Sequence, residues 1–233
     1  MQENNLLNPD NSLLNRILFI ILLTVSFLTP IFFIPATFIS PQFGTSLLFS
    51  FGVLLSILVY IVYCFKTGSF YVPRPAKYIL PFMFVVPFVY ILAGISNGFS
   101  RMSFLGYTLD ISTVGFLILG FIYLFLVSIF FRERNKIFYS YFAFVISSTI
   151  LAIFIILRII FGSDFLSFGI FSQVTSTMIG SWNNISIFFG AGAILSLLTF
   201  EMINVSKFMK ILLIVALLLS LFSRASCKLI VIC

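Results

Sequence analysis

The sequence has no histidine, three cysteines and one tryptophan among its 233 residues, and only 8% of its residues are charged. Without histidine, neither a His-ligated metal site nor a Ser-His-Asp triad can form within these residues. Cys64, Cys227 and Cys233 are scattered without a metal-ligand spacing, and they predict no disulfide framework. A soluble domain carries roughly 25% charged residues, so the chain falls outside that class.

The charged residues leave long stretches empty. Four such stretches lie between Arg16 and Lys66, Lys77 and Arg101, Asp110 and Arg132, and Asp164 and Glu201. A helix needs about 20 apolar residues to cross the hydrocarbon core of a membrane. Because 61% of the residues are hydrophobic, the sequence predicts an all-α, polytopic transmembrane helical bundle.

About seven spans are expected on this basis. They cover residues 17–38, 45–65, 78–95, 111–131, 137–160, 183–200 and 211–223. Residues 1–16 form a polar tail without a cleavage site, so the first span is expected to stay as a signal anchor and 17–233 to form a single transmembrane domain. Pro30 and Pro35 leave open whether the first span is kinked or broken. The seventh crosses only if its flanking charges snorkel.

The loop charges predict an orientation. Eight basic residues share one side of the membrane with the polar tail: Lys66, Arg74, Lys77, Arg132, Arg134, Lys136, Lys207 and Lys210. The positive-inside rule therefore predicts a cytoplasmic N-terminus and an outer C-terminus. The net charge of +7 is accounted for by topology and does not predict nucleic-acid binding; membrane lipid is the expected partner.

Charged candidates for a site lie on the outer side. Arg101 and Asp110 flank the loop before span four, either as an anion-binding cation with its partner or general base, or as two solvated charges. Arg158, near the outer end of span five, can snorkel to headgroups or face inward and hold a phosphate. Asp164 is its possible ion partner or a loop residue. Arg224 alone, beside the last span, is typical of a membrane anchor.

The stretch "MIGSWNNISIFFGAGA" (178–193) opens span six. Ser181 or Asn183 is expected to cap the helix, whose outward amino end favours phosphate. Trp182 is typical of the aromatic belt at the membrane interface, with substrate contact as the alternative. Asn183 and Asn184 need polar partners within a membrane helix.

Four passages, in order along the chain, resemble the O-antigen ligase and polysaccharide polymerase family: "FLTPIFFIP" (27–35), "SFLGYTLDISTVGFL" (103–117), "IGSWNNISIFFG" (179–190) and "LFSRAS" (221–226). The resemblance implies a multi-pass protein of the bacterial inner membrane that transfers or polymerises glycan from an undecaprenyl-pyrophosphate carrier on the outer face. It implies no metal or cofactor, arginines that hold the pyrophosphate, Arg224 as the family's Ser-Arg arginine, and Asn183 with Asn184 as its Trp-Asn segment.

The chain departs from that family in having no large charged outer loop and no histidine. It is therefore expected to be the amino-terminal part of a larger membrane domain, and inactive alone. The alternatives are a transporter or flippase-like carrier, for which internal repeats and midplane charges would speak, and a non-catalytic membrane scaffold.

Overall fold

The computed structural model describes residues 13–36, 40–68, 74–96, 98, 100–106, 113–162, 164–171, 178–179, 182–202, 210, 214–215 and 217–218. This part of the chain is all-helical, without a strand, which confirms the predicted class. Its helices are α1 (Leu13–Leu28), α2 (Pro41–Thr67), α3 (Arg74–Ser96), α4 (Arg101–Leu105), α5 (Val114–Phe130), α6 (Arg134–Phe161) and α7 (Trp182–Met202).

Six of these helices overlap the residue ranges of the first six predicted spans. The exception is α4, a short helix that the sequence reading did not predict. Two helices are long and apolar enough to cross a membrane, α2 over Gln42–Thr67 and α6 over Arg134–Phe161. Most of the predicted seventh span lies outside the described residues; residues 214–215 and 217–218 within it are helical.

The first predicted span is too long at its carboxyl end, because α1 stops at Leu28 and the described residues 29–36 are not helical. Pro30 has no N–H, and its ring clashes with the preceding turn of a helix. Ile31 and Phe32 instead donate their N–H groups to the Leu28 carbonyl, at 2.9 and 2.8 Å. The helix is therefore broken before Pro30 rather than kinked.

The chain divides into two compact units. The first comprises Met1–Val25 and Ser46–Ile137. Side chains from α1, α2 and α5 form its core, called the first core below: Leu18, Leu22, Tyr60, Tyr63, Leu126, Ile129 and Phe130. The Tyr123 hydroxyl adds a hydrogen bond to the Leu22 carbonyl at 3.2 Å. This core is helix packed on helix throughout.

Within the first unit, α4 packs against α5, and α5 also contacts α3. The Ser100 hydroxyl caps α4 by accepting from the Ser103 N–H at 3.2 Å. A Cβ added at Gly115, in the first turn of α5, would lie 2.8 Å from the Phe104 carbonyl oxygen. Glycine at this position is what allows the two backbones to approach so closely.

The second unit comprises Ser26–Thr45 and Phe138–Cys233. Its core, called the second core below, draws on α6, on α7 and on non-helical residues between them: Leu151, Ala152, Phe154, Ile155, Phe171, Met178, Ile185 and Phe189. Ile31 and Phe33, from the non-helical residues after α1, pack against it. The second core therefore includes irregular backbone as well as helices.

Several serines are buried in this structure, whereas many large apolar side chains are exposed. Ser56, Ser147 and Ser196 are buried, whereas the described side chains of α3 expose large apolar groups such as Phe88, 60% exposed. On α7, Ile187 is 72% exposed while Ser196 faces inward. Small polar residues at helix contacts and apolar residues at the periphery are typical of helices packed in lipid.

Candidate functional site

Arg158 lies in the last turn of α6 and is only 3% exposed. The apolar residues Leu151, Phe154 and Ile155 precede it at the spacing of one helix face, and all three belong to the second core. The side chain therefore points to the interior of its unit. Of the two interpretations of Arg158 from sequence, the inward-facing one describes its position; the phosphate attached to that interpretation stays a prediction.

The guanidinium is held by backbone and by aromatic rings. Its Nη2 donates a hydrogen bond to the Phe171 carbonyl oxygen at 2.8 Å. The guanidinium carbon lies 5.5 Å from the centroid of the Phe171 ring and 5.8 Å from that of Phe154. Both distances fall within the range of cation–π attraction, which strengthens where water is excluded. Arg158 is thus integrated into the second core.

The described residues 162 and 164–171, called the strap below, lead from the end of α6 back to this arginine. Successive turns build the strap, with the Phe165 N–H donating to the Gly162 carbonyl and the Ile170 N–H to the Ser167 carbonyl. Leu166 and Phe168 adopt positive φ angles of 53° and 48°. Such angles are uncommon for bulky residues and persist where the surroundings fix them.

The strap ends at Phe171, whose side chain is 0% exposed. Its ring packs against Phe33 and Phe154, with centroid distances of 5.3 and 5.9 Å. Between its ends the strap is more open, since Phe168 is 52% exposed. Phe171 therefore forms the buried attachment of an otherwise outward-lying segment.

The start of α7 belongs to the same neighbourhood. Met178, shortly before α7, and Ile185, in its first turns, are both members of the second core. Farther along α7, a Cβ on Gly192 would lie 3.0 Å from the Ser148 hydroxyl of α6, so α6 and α7 pack closely at "GAGA" (190–193). The amino end of α7 and Arg158 are thus attached to one apolar cluster.

The other predicted site residues fall into three groups. Trp182 and Asn183 are the first two residues of α7, and the exposed Asn184 follows them. Arg101 is the first residue of α4, in the other unit. Asp110 and Arg224 lie outside the described residues, as does Ser181, one of the two predicted caps.

No family model, curated protein or solved structure matches the chain. The resemblance to glycan ligases and polymerases therefore stays a prediction from the sequence.

Sequence reasoning missed the two phenylalanines that hold Arg158. Phe154 is one helical turn before the arginine, a spacing that brings side chains together on a helix. Phe171 carried a weaker signal: Gly162 and Gly169, both with positive φ, punctuate "FGSDFLSFGIF" and indicate turns that reverse the chain.

The chemistry available at this site is that of a desolvated cation. Among the described residues, no group of three or more His, Cys, Asp or Glu side chains is arranged to hold a metal ion. A guanidinium offers five N–H donors in a fixed plane, suited to phosphate oxygens or to carbonyl oxygens. Here one of these donors is engaged by the protein's own backbone.

Proposed function

We propose that this chain belongs to a multi-pass protein of the bacterial inner membrane that takes part in transfer or polymerisation of undecaprenyl-pyrophosphate-linked glycan on the outer face. One observation carries the proposal furthest: a guanidinium sits inside an apolar core at the end of a long apolar helix. Buried cations in membrane helices are costly and mark sites of function.

Three further features support the proposal. Among the described residues, two helices have the length and composition of membrane spans, and α3 and α7 expose large apolar side chains such as Phe88 and Ile187. The α7 helix begins at Trp182, within one residue of the predicted start of span six at residue 183. A helix amino end offers unpaired N–H groups to phosphate.

Roles are divided accordingly. The proposed contacts to the lipid-linked substrate are Trp182, Asn183, Asn184 and Arg224. For Arg101 and Asp110, the prediction from sequence stays that of an anion-binding cation and its acid or base partner. Arg158 is a positioning residue in the observed conformation, because its guanidinium is buried and bonded to the Phe171 carbonyl. Glycan transfer at this site would use no metal, with cationic and amide donors stabilising the pyrophosphate leaving group.

The test is deletion of the gene followed by analysis of lipid-linked glycan. Loss of a transferase should accumulate lipid-linked glycan at the outer face, where it is open to a membrane-impermeant glycosidase on spheroplasts, and should deplete surface glycan. Unchanged lipid-linked and surface glycan would contradict the proposal. Accumulation confined to the inner face would instead indicate a flippase-like carrier.

Complementation separates catalysis from scaffolding. Asn184→Ala should fail to restore surface glycan, because it removes an exposed amide at the start of α7 without disturbing the second core. Its matched control is Ile187→Ala, which alters an exposed apolar residue of the same helix and should complement fully. Full activity of Asn184→Ala would favour the non-catalytic scaffold.

A further inference from the structure

The strap has one deeply buried attachment besides its covalent link to α6. Phe171 is fully buried, whereas the other apolar side chains of the strap are more open. Phe165 is exposed, Leu166 is partly buried against the second core, and Phe168 is 52% exposed although its ring contacts Phe33. The turns within the strap bond to one another, from Gly162 to Phe171. A segment of this kind opens as a unit when its single buried attachment withdraws.

Arg158 contributes two interactions to the attachment at Phe171. The guanidinium bonds to the Phe171 carbonyl at 2.8 Å and lies against the Phe171 ring. The ring of Phe154, one turn earlier on α6, also contacts the guanidinium. The arginine thus binds both the backbone and the side chain of one residue, which fixes the carboxyl end of the strap.

The strap's own backbone does not favour this conformation. Leu166 and Phe168 have positive φ angles, which carry a steric cost for residues with a bulky side chain. Such conformations are retained when contacts elsewhere determine them. The contacts at Phe171 supply that constraint, so the strap is held under tension by its attachment to α6.

We infer that Arg158 and Phe171 form a latch that fastens the strap across the end of α6 and releases it as a unit. Release uncovers a guanidinium that the closed state buries. This inference does not depend on the identity of any substrate, so it stands or falls separately from the proposed glycan transfer.

The test is hydrogen–deuterium exchange on the full chain in nanodiscs of phosphatidylethanolamine and phosphatidylglycerol. In Arg158→Met, amides of residues 162–171 should exchange about tenfold faster or more, as expected when a charged donor to a buried carbonyl is lost. Amides of 145–155 in α6 should keep their protection, which shows that the helix remains folded.

The matched control is Arg134→Met, at the exposed opposite end of the same helix. It should leave exchange of the strap unchanged. Arg158→Lys should release the strap only in part, because the ammonium keeps the charge but loses the planar fork.

A second pair of variants covers the case in which Arg158→Met does not fold. Phe171→Leu and Phe154→Leu each keep an apolar side chain and remove one aromatic face from the guanidinium. Each should speed exchange of the strap by about threefold, a typical effect of one cation–π contact. Wild-type exchange of the strap in the Arg158 and Phe171 variants, with α6 protected, would overturn the latch.

Discussion

The two cores are sealed in different ways. In the first, α1, α2 and α5 meet through aliphatic and aromatic side chains, and their backbone groups are satisfied within the helices. The second core accepts two non-helical pieces, residues 29–36 and the strap. Each piece contains backbone carbonyl groups that are not hydrogen-bonded to the backbone N–H groups of a helix.

Side chains of helical residues meet those carbonyls. The Thr45 hydroxyl of α2 donates to the Phe32 carbonyl at 3.2 Å, and Arg158 of α6 donates to that of Phe171. Irregular backbone is tolerated at membrane depth where protein satisfies it. The first core therefore depends on side-chain volume and on close approach of its helices, and the second depends on specific hydrogen-bond donors.

The largest effect is expected from removing volume in the first core. Leu126→Ala should lower the free energy of unfolding by about 2–4 kcal/mol, because Leu126 is 1% exposed and its loss leaves a cavity. The matched change on the same helix is Leu124→Ala, at a residue 47% exposed, which should cost less than about 0.5 kcal/mol. Unfolding of the full chain in mixed micelles with increasing dodecyl sulfate measures both; equal losses would break the comparison.

A smaller effect is expected from crowding the first unit. Gly115→Ala should cost about 1–3 kcal/mol, since its Cβ would meet a backbone carbonyl of α4 that cannot move aside as a side chain can. Gly120→Ala is the matched change on α5, where nothing lies within 4 Å of the new Cβ; it should gain about 0.5–1 kcal/mol. The same unfolding assay measures the pair, and a destabilised Gly120 variant would contradict the geometry.

The smallest effect concerns a donor in the second unit. Thr45→Val keeps the shape of the side chain but removes the hydrogen bond to the Phe32 carbonyl, which should cost about 1 kcal/mol. Thr149→Val is its control, because Thr149 donates to Val145 O within α6, an oxygen already engaged by the helix. If both variants lose the same stability, irregular backbone does not place a special demand on donors.

The helices were predictable from the sequence because their signal is an average. Charge-free stretches fixed α2 and α6 to within a few residues, and α7 begins at Trp182 beside the expected Asn183. An apolar helix in lipid needs only residues of the right type over its length. Pro30 left two outcomes open, since a proline can be tolerated where neighbours satisfy the freed carbonyl.

The site was predictable only in its members. Arg158 was identified, but its burial depends on Phe171, which reaches it through the turns of the strap. Hydropathy depends only on residue types, so it does not predict which residue is brought into contact with Arg158 when the chain turns back. The helix α4 was missed for a related reason: a helix of five residues is too short to show a period.

The break before Pro30 also has a consequence for the order in which the protein is made. Phe33 packs against Phe168 and Phe171, yet it is translated long before either of them. The Thr45 bond to Phe32 joins residues close in the chain, so it can form as soon as the start of α2 has emerged. The early piece is thus held in place locally before its aromatic partners, which lie much farther along the chain, have been made.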